Sequence, residues 1–346
     1  MKKVKKAFMI QVGLIFLLFI AQTCIHAQDY SQLNLPEGAK IRYGKGEISD
    51  IKFTPDGSMY AVGSSIGIFL YDVQSNKQVR FLQSNQDAIF TFSFANDGKA
   101  IIAAAEFGKM YIWDLQSVED PNFVNIGKLY KRIQGIGYIW SSAITNDASI
   151  LAVGTGSGSI TLWNIQSGQQ IASIKAHKKS VNGLAFSSNG KTLASSGEDN
   201  KIHLWDVPTQ KRKFTLTDLF NAQTLAFSAD GKSLVGGGFG GSVQSWNLDS
   251  RTKLMSYYGH TDRIRAVAYS PNNKIVASGS WDSTVRLWNA NSGKQIGIIS
   301  GYPLSVERMG FAPNGNTVAG TARGVINLWD SNTRSKSPVV IEKHSG

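Results

Sequence analysis

From about residue 40 onward, apolar and polar residues alternate in short runs, and nearly every run ends in a turn-forming pair or triplet. Residues 259–289 show the pattern best. An alternating run at 264–269 is followed by the turn Pro271-Asn272-Asn273. A second run starts at Ile275, a turn passes through Trp281-Asp282-Ser283, and a third run covers 284–289. Period-two alternation between polar turns predicts three antiparallel strands, a meander. Gly, Ser, Asn or Asp interrupts every window long enough for a helix, so the expected class is all-β. One meander cannot bury its own apolar faces, so the pattern has to recur.

It recurs seven times. The aromatic closing each third run is Tyr71, Trp113, Trp163, Trp205, Trp246, Trp288 or Trp329, with spacings of 42, 50, 42, 41, 42 and 41 residues. The turns Pro55-Asp56-Gly57, Asn96-Asp97-Gly98, Asn146-Asp147-Ala148, Asn189-Gly190, Asp230-Gly231, Pro271-Asn272-Asn273 and Pro313-Asn314-Gly315 keep the same phase, each ending 14 or 15 residues before its aromatic. The eight residues added to one spacing fit best within 116–125, as an enlarged surface loop.

A period in the low forties with endings such as Trp113-Asp114, Trp205-Asp206 and Trp329-Asp330 resembles the WD-repeat (WD40-type) family, here in an exported, bacterial-type form. The resemblance implies a seven-bladed β-propeller of four-stranded antiparallel blades over residues 39–342, with a short tail at 343–346. It also implies a fourth, outermost strand after each Trp-Asp pair. Two segments compete to supply that strand in the last blade, residues 40–43 and 338–341. The first is favoured, because it removes an open edge and because Pro338 lacks a ladder donor.

The chain start changes the picture of charge and location. Residues 1–27 carry Lys2, Lys3, Lys5 and Lys6, an apolar stretch at 7–20 and a small residue at Ala27, the three parts of a secretory signal, with an uncleaved anchor as the alternative. Residues 28–38 read as a linker. The expected location is periplasmic or extracellular. Cys24 is the single cysteine, so a chain cleaved after Ala27 has neither disulfide nor thiolate chemistry. Removing the four lysines lowers the net charge from +12 to +8. The remaining cations are scattered over turns and outer strands, which makes nucleic acid an unfavoured partner.

The family's buried Asp-His-Ser-Trp network is matched by His260, Ser278, Asp282 and Trp288, and by His177, Ser195, Asp199 and Trp205. A Ser-His-Asp trio invites comparison with a hydrolase triad. Ser278, however, is expected on an inner strand behind a Trp, so both sets read as structural. The stretches at 63–67, 154–158 and 236–241 resemble a nucleophile elbow or phosphate loops, but strands flank them where a helix is required. No cofactor and no metal are expected.

Family members often dock partners on the face that carries the entry to each innermost strand and the turn before each third strand. The matching residues are Arg263, Arg265 and Trp281 in repeat six, Tyr138 and Trp140 in three, Phe90 and Glu106 in two, and Asn221, Gln223 and Phe239 in five. Repeat four supplies Ser180, Asn182 and Glu198, repeat seven Ser305, Glu307 and Arg323, and repeat one Glu47 and Ser49. Aromatic and Arg side chains on a rim are the usual anchors of an interface. The expectation is a non-catalytic, monomeric scaffold for a protein or peptide. The alternative is a propeller enzyme, or a small-ligand or metal binder using the central channel. It requires three or more of Glu47, Glu106, Glu198, Glu307 and Asn182 to come within ligand distance of one another.

Overall fold

The computed structural model describes residues 47–84, 87–95, 97–116, 125–126, 128–132, 139–217, 221–300, 305–322, 325–331 and 336–341. Their strands form seven sheets, blades 1 to 7, at residues 48–83, 89–132, 141–175, 181–216, 224–257, 264–299 and 308–341. Each is built on an antiparallel meander of four strands, to which blade 1 adds a short fifth strand, and the chain is a seven-bladed β-propeller. In blade 6 the strands are Ile264–Tyr269, Ile275–Ser280, Val285–Asn289 and Gln295–Ile299. Among the described residues no helix is long and apolar enough to cross a membrane.

The core lies between blades. Each of seven apolar clusters joins residues of two neighbours, and the closing aromatic packs back on the preceding blade. Trp113 joins Leu70 and Leu82 of blade 1, Trp205 joins Leu162, and Trp288 joins Val235 and Val243. The second strand of blade 2, Ala100–Ala105, is buried along its whole length. Ile101, Ala103 and Ala105 face blade 1, while Ala100, Ile102 and Ala104 face blade 3. Such a strand reads as a continuous apolar run because both of its faces are covered.

The ring closes by the same packing. Ile51, Phe53 and Tyr60 of blade 1 share a cluster with Ala312, Ala319, Ile326 and Leu328 of blade 7. The favoured outer strand of blade 7, residues 40–43, lies outside the described residues, and Lys336–Ile341 occupies that place instead. Pro338 had argued against this assignment. Pairing jumps from Asn327↔Val340 to Trp329↔Lys336, so Pro338 falls in a bulge on an outermost strand, where no ladder donor is required.

In the long repeat, residues 125–126 pair in parallel with Leu82 and Gln83 on the outer edge of blade 1. The fourth strand of blade 2 follows at Lys128–Arg132. The insertion thus lies where the spacing predicts, and part of it adds a fifth strand to a neighbour. The proposed signal, linker, Cys24 and tail, with Tyr138 and Arg323, lie outside the described residues. Ending the chain after residue 335 removes the outer strand of blade 7 and opens the edge of Val325–Asp330. The expected result is a Tm lower by about 5 °C or more in a thermal melt, given ~2–4 °C per kcal/mol in a domain of this order; an unchanged Tm shows that another segment takes the place.

Candidate functional site at the channel mouth

A bulge opens the first strand of blades 1, 2, 4 and 6. In blade 6, Ile264 pairs with Ser280 and Ala266 with Gly279, leaving Arg265 between them. Ser49, Phe90 and Asn182 are set aside in the same way in blades 1, 2 and 4. In the other three blades Trp140, Gln223 and Glu307 donate to the carbonyls of Gly154, Gly237 and Thr321, the residues that pair with their next neighbours. A bulge re-aims a side chain out of the ladder, and here it supplies one side chain per blade to the mouth. Glycines on the second strands let the next blade come close. A Cβ at Gly237 would stand 2.3 Å from Ile264 Cγ2, and one at Gly279 would stand 2.6 Å from Val306 Cγ1.

The mouth has two chemically different halves. Blades 2 and 3 present Phe90, half-buried, and Trp140, 53% exposed. Blades 4 to 7 present a continuous polar belt. Ser180 Oγ donates to Asn182 Oδ1 at 3.1 Å, and Asn182 Nδ2 donates to Asn221 Oδ1 at 2.8 Å. Gln223 Nε2 donates to the same oxygen at 2.8 Å. Arg265 Nη1 donates to Gln223 Oε1 at 3.2 Å, and its Nε donates to Glu307 Oε2 at 3.1 Å. Ser305 Oγ and Trp281 Nε1 complete the belt at Glu307 Oε1, at 2.7 and 3.1 Å.

Outside the belt, the Arg263 guanidinium lies 4.3 Å from the Phe239 ring and 4.2 Å from the Trp281 ring. Ring faces are negative and attract the cation, so Arg263 joins the turns of blades 5 and 6 into one raised platform. Trp281 remains 40% exposed. Glu198 is exposed on blade 4, apart from this platform. Glu47, Glu106, Glu198 and Glu307 do not come together: among the described residues, the one trio with metal-ligand proximity is His177, Asp199 and His203.

That trio is a brace. His177 Nδ1 meets Asp199 Oδ1 at 2.9 Å and its Nε2 meets Ser195 Oγ at 2.8 Å, so both ring nitrogens are engaged. Trp205 Nε1 donates to the same Ser195 Oγ at 2.9 Å. His203 stacks on the His177 ring at 4.6 Å and 28°, with its Nδ1 against Thr215 Oγ1. Stacked rings direct their in-plane lone pairs side by side, whereas a metal needs them to converge. Blade 6 repeats the network: His260 Nδ1 meets Asp282 Oδ2 at 2.7 Å, and His260 Nε2 and Trp288 Nε1 both reach Ser278 Oγ at 2.8 Å. Ser195 and Ser278 have no exposed surface.

Burial pulls His177 and His260 below the ordinary histidine value, against the opposite pull of Asp199 and Asp282. Burial works to raise Asp199 and Asp282, but hydrogen bonds, chiefly from the Lys178 amide and the Thr284 hydroxyl respectively, outweigh it and hold both low. His203 is pushed down to about 4 by burial, with His177 and Arg212 acting in the same direction.

Two features had no sequence signature. Blade 2 lacks the four-residue network but has its own brace, in which Asp87 accepts from Tyr111 Oη and from Lys109 Nζ. In blade 5, Tyr257 Oη meets Ser245 Oγ at 3.1 Å. Phe107, 71% exposed at φ 56°, and Tyr258, 85% exposed, also escaped notice. An apolar residue immediately before a turn Gly was the available sign for Phe107-Gly108.

The family profile WD40 (WD domain, G-beta repeat) matches residues 168–206 and 251–289. These are the spans that end at Trp205-Asp206 and Trp288-Asn289 and contain the two complete networks. The matches support the WD40 repeat family. Similar proteins include Autophagy-related protein 16 of Arabidopsis thaliana, 27% identical over 173 residues, 49% of this chain and 32% of that protein. WD repeat-containing protein 26 homolog of the same plant is 28% identical over 163 residues, covering 46% and 27%. APC/C activator protein CDC20 of Saccharomyces cerevisiae is 24% identical over 159 residues, covering 46% and 25%. The chain spans about a third or less of the length of these curated relatives.

The histidines give the fold an acid-side pH dependence. An unfolded histidine takes up a proton below about pH 6.5, whereas folded His203 does so near 4. In that window the unfolded chain binds more protons, so stability falls as pH falls. Thermal melts between pH 7.5 and 5 should show a declining Tm below about 6.5, and a shallower decline in His203→Gln; equal slopes would exclude His203 as a source.

Proposed function

We propose that this propeller is a non-catalytic scaffold that captures a protein or peptide on the platform formed by Phe239, Arg263 and Trp281. The observation that carries the reading is the stacked Arg263, with Trp281 tied through Glu307 to a belt that spans four blades. Interface anchors are typically rigid aromatic and Arg side chains, which lose little freedom on binding. WD-repeat relatives point the same way, among them a yeast protein named as an activator of the APC/C. Against hydrolysis stands the state of Ser278: its hydroxyl is enclosed and already shared by His260 and Trp288. Purified wild-type protein and a Phe239→Ala, Arg263→Ala, Trp281→Ala variant should retain the same fold by circular dichroism. Partners enriched on the wild type should bind the variant at least about tenfold more weakly, on the scale of lost hot spots. Unchanged affinity removes this face.

The same reading places the propeller outside the cytoplasm, as an exported protein of bacterial type. Support comes from residues 1–27, whose four lysines and apolar stretch have the form of a secretory signal. Fractionation of expressing bacteria should recover a chain that begins at Gln28, identified by N-terminal sequencing. A cytoplasmic chain that retains Met1 would reject this reading.

A further inference from the structure

The channel encloses a cavity of ≈ 780 Å³, and five charged side chains line it: Asp50, Lys52, Glu198, Arg265 and Arg308. Charges held away from bulk water are ordinarily paired, and four of the five are provided for. Lys52 Nζ lies 3.6 Å from Asp50 Oδ2, which also accepts from Thr91 Oγ1 at 3.0 Å. Arg265 is paired with Glu307 at 3.1 Å, and Glu198 is exposed at the rim, where water solvates it.

Arg308 is the exception. It occupies the position next to the bulge in blade 7, where blade 6 has Ala266 and blade 4 has Gly183. Its Nε donates to the Ser49 carbonyl at 2.5 Å and its Nη1 to the Glu307 carbonyl at 2.9 Å. Among the described residues no carboxylate stands within ion-pair distance of it. Burial pulls the guanidinium below its ordinary value, with Arg265 acting in the same direction, and Asp50 and Glu307 only partly counter this. An Arg side chain stays charged even so, and in the channel wall its charge is answered only at longer range, by Asp50 and Glu307, with no carboxylate in direct contact. A neutral donor such as Gln would serve the two carbonyls without introducing that charge.

We infer that the channel binds a monovalent organic carboxylate, received by Arg308 at the seam of blades 7 and 1. The guanidinium fork matches the planar carboxylate. Arg308 is the one cation of the channel lining with no carboxylate in direct contact, which suits a single negative charge, and a phosphate dianion would find no second such cation in the lining, since Lys52 and Arg265 are paired. Met309, Leu184, Leu225 and Val267 give the ligand's body an apolar contact within a lining that is otherwise mainly polar. The volume falls within the range of small-molecule sites. This site is in the channel and is independent of the platform on the rim.

The test uses the purified full chain and calorimetric titration with 4-phenylbutyrate, octanoate and N-acetylphenylalanine, each against its neutral amide, with inorganic phosphate as a further probe. At least one carboxylate should bind about tenfold or more tightly than its amide, the size of effect that a charge-assisted hydrogen bond gives. The preference should disappear in Arg308→Gln, which keeps a donor for the two carbonyls and drops the charge. No preference in any pair overturns the proposal, and so does a preference that survives in Arg308→Gln. Phosphate binding more tightly than every carboxylate overturns the single-charge assignment. The comparison of acid with amide needs no variant, so it stands even where the Arg308 change loosens the seam.

Discussion

A blade of four strands standing alone exposes two apolar faces, and no residue choice within the blade removes both. Here each face is covered by a neighbour. Ala100, Ile102 and Ala104 turn toward blade 3 while Ile101, Ala103 and Ala105 turn toward blade 1, and each closing Trp lies against the blade before it. Burial of this kind is cooperative around the ring. A blade has its second partner only when the last one meets the first, as Ile51 and Phe53 do with Ala319 and Leu328. The stability of a repeat array resides largely in such neighbour interfaces. A single continuous strand pairing across the seam is therefore not required to hold the circle, and the outer strand of blade 7 can come from the C-terminal side.

Close packing of wedge-shaped blades has a consequence at the centre. The first strands crowd together, and the second-strand glycines at 237 and 279 leave room for Ile264 and Val306 with almost nothing to spare. The bulges relieve the ladder at this level and turn one side chain per blade toward the mouth. Polar groups brought together there must satisfy one another. The belt from Ser180 to Ser305 does so, since each amide and charge is used by its neighbour. Its residues hold one another in place, which would lower the ordering cost of binding at this face.

The seven-fold phase of turns and aromatics made the architecture legible, because that phase is what the packing of equal blades imposes on a sequence. The two complete networks were legible for a similar reason: His, Ser, Asp and Trp sit at fixed offsets within one repeat, and the distances at His260 and His177 link each set. What lay between repeats was hidden. Nothing in the sequence says that Arg265 reaches both Glu307 and Gln223, 42 residues away on either side, or that Arg263 settles between Phe239 and Trp281. Asp87 with Tyr111 was missed because it solves the bracing problem of blade 2 with different residue types. The blade 7 strand was misjudged because Pro338 was weighed as a lost donor without allowing for a bulge.

The platform and the channel differ in how their charges are balanced. On the platform Arg263 stacks against two aromatic faces with Asp262 4.0 Å from its Nε, and Arg265 is held by Glu307. A surface so arranged gains affinity from shape and apolar area more than from net charge. In the channel wall Arg308 donates to two carbonyls, and the carboxylates of Asp50 and Glu307 act on its charge only at longer range. Charge answered only at such range costs stability, and the same level holds Ala266 in blade 6, Gly183 in blade 4 and Asp50 in blade 1. An anion seated on Arg308 would remove that cost and couple occupancy of the channel to the strength of the seam between blades 7 and 1. The ring would then be most firmly closed when its channel is filled.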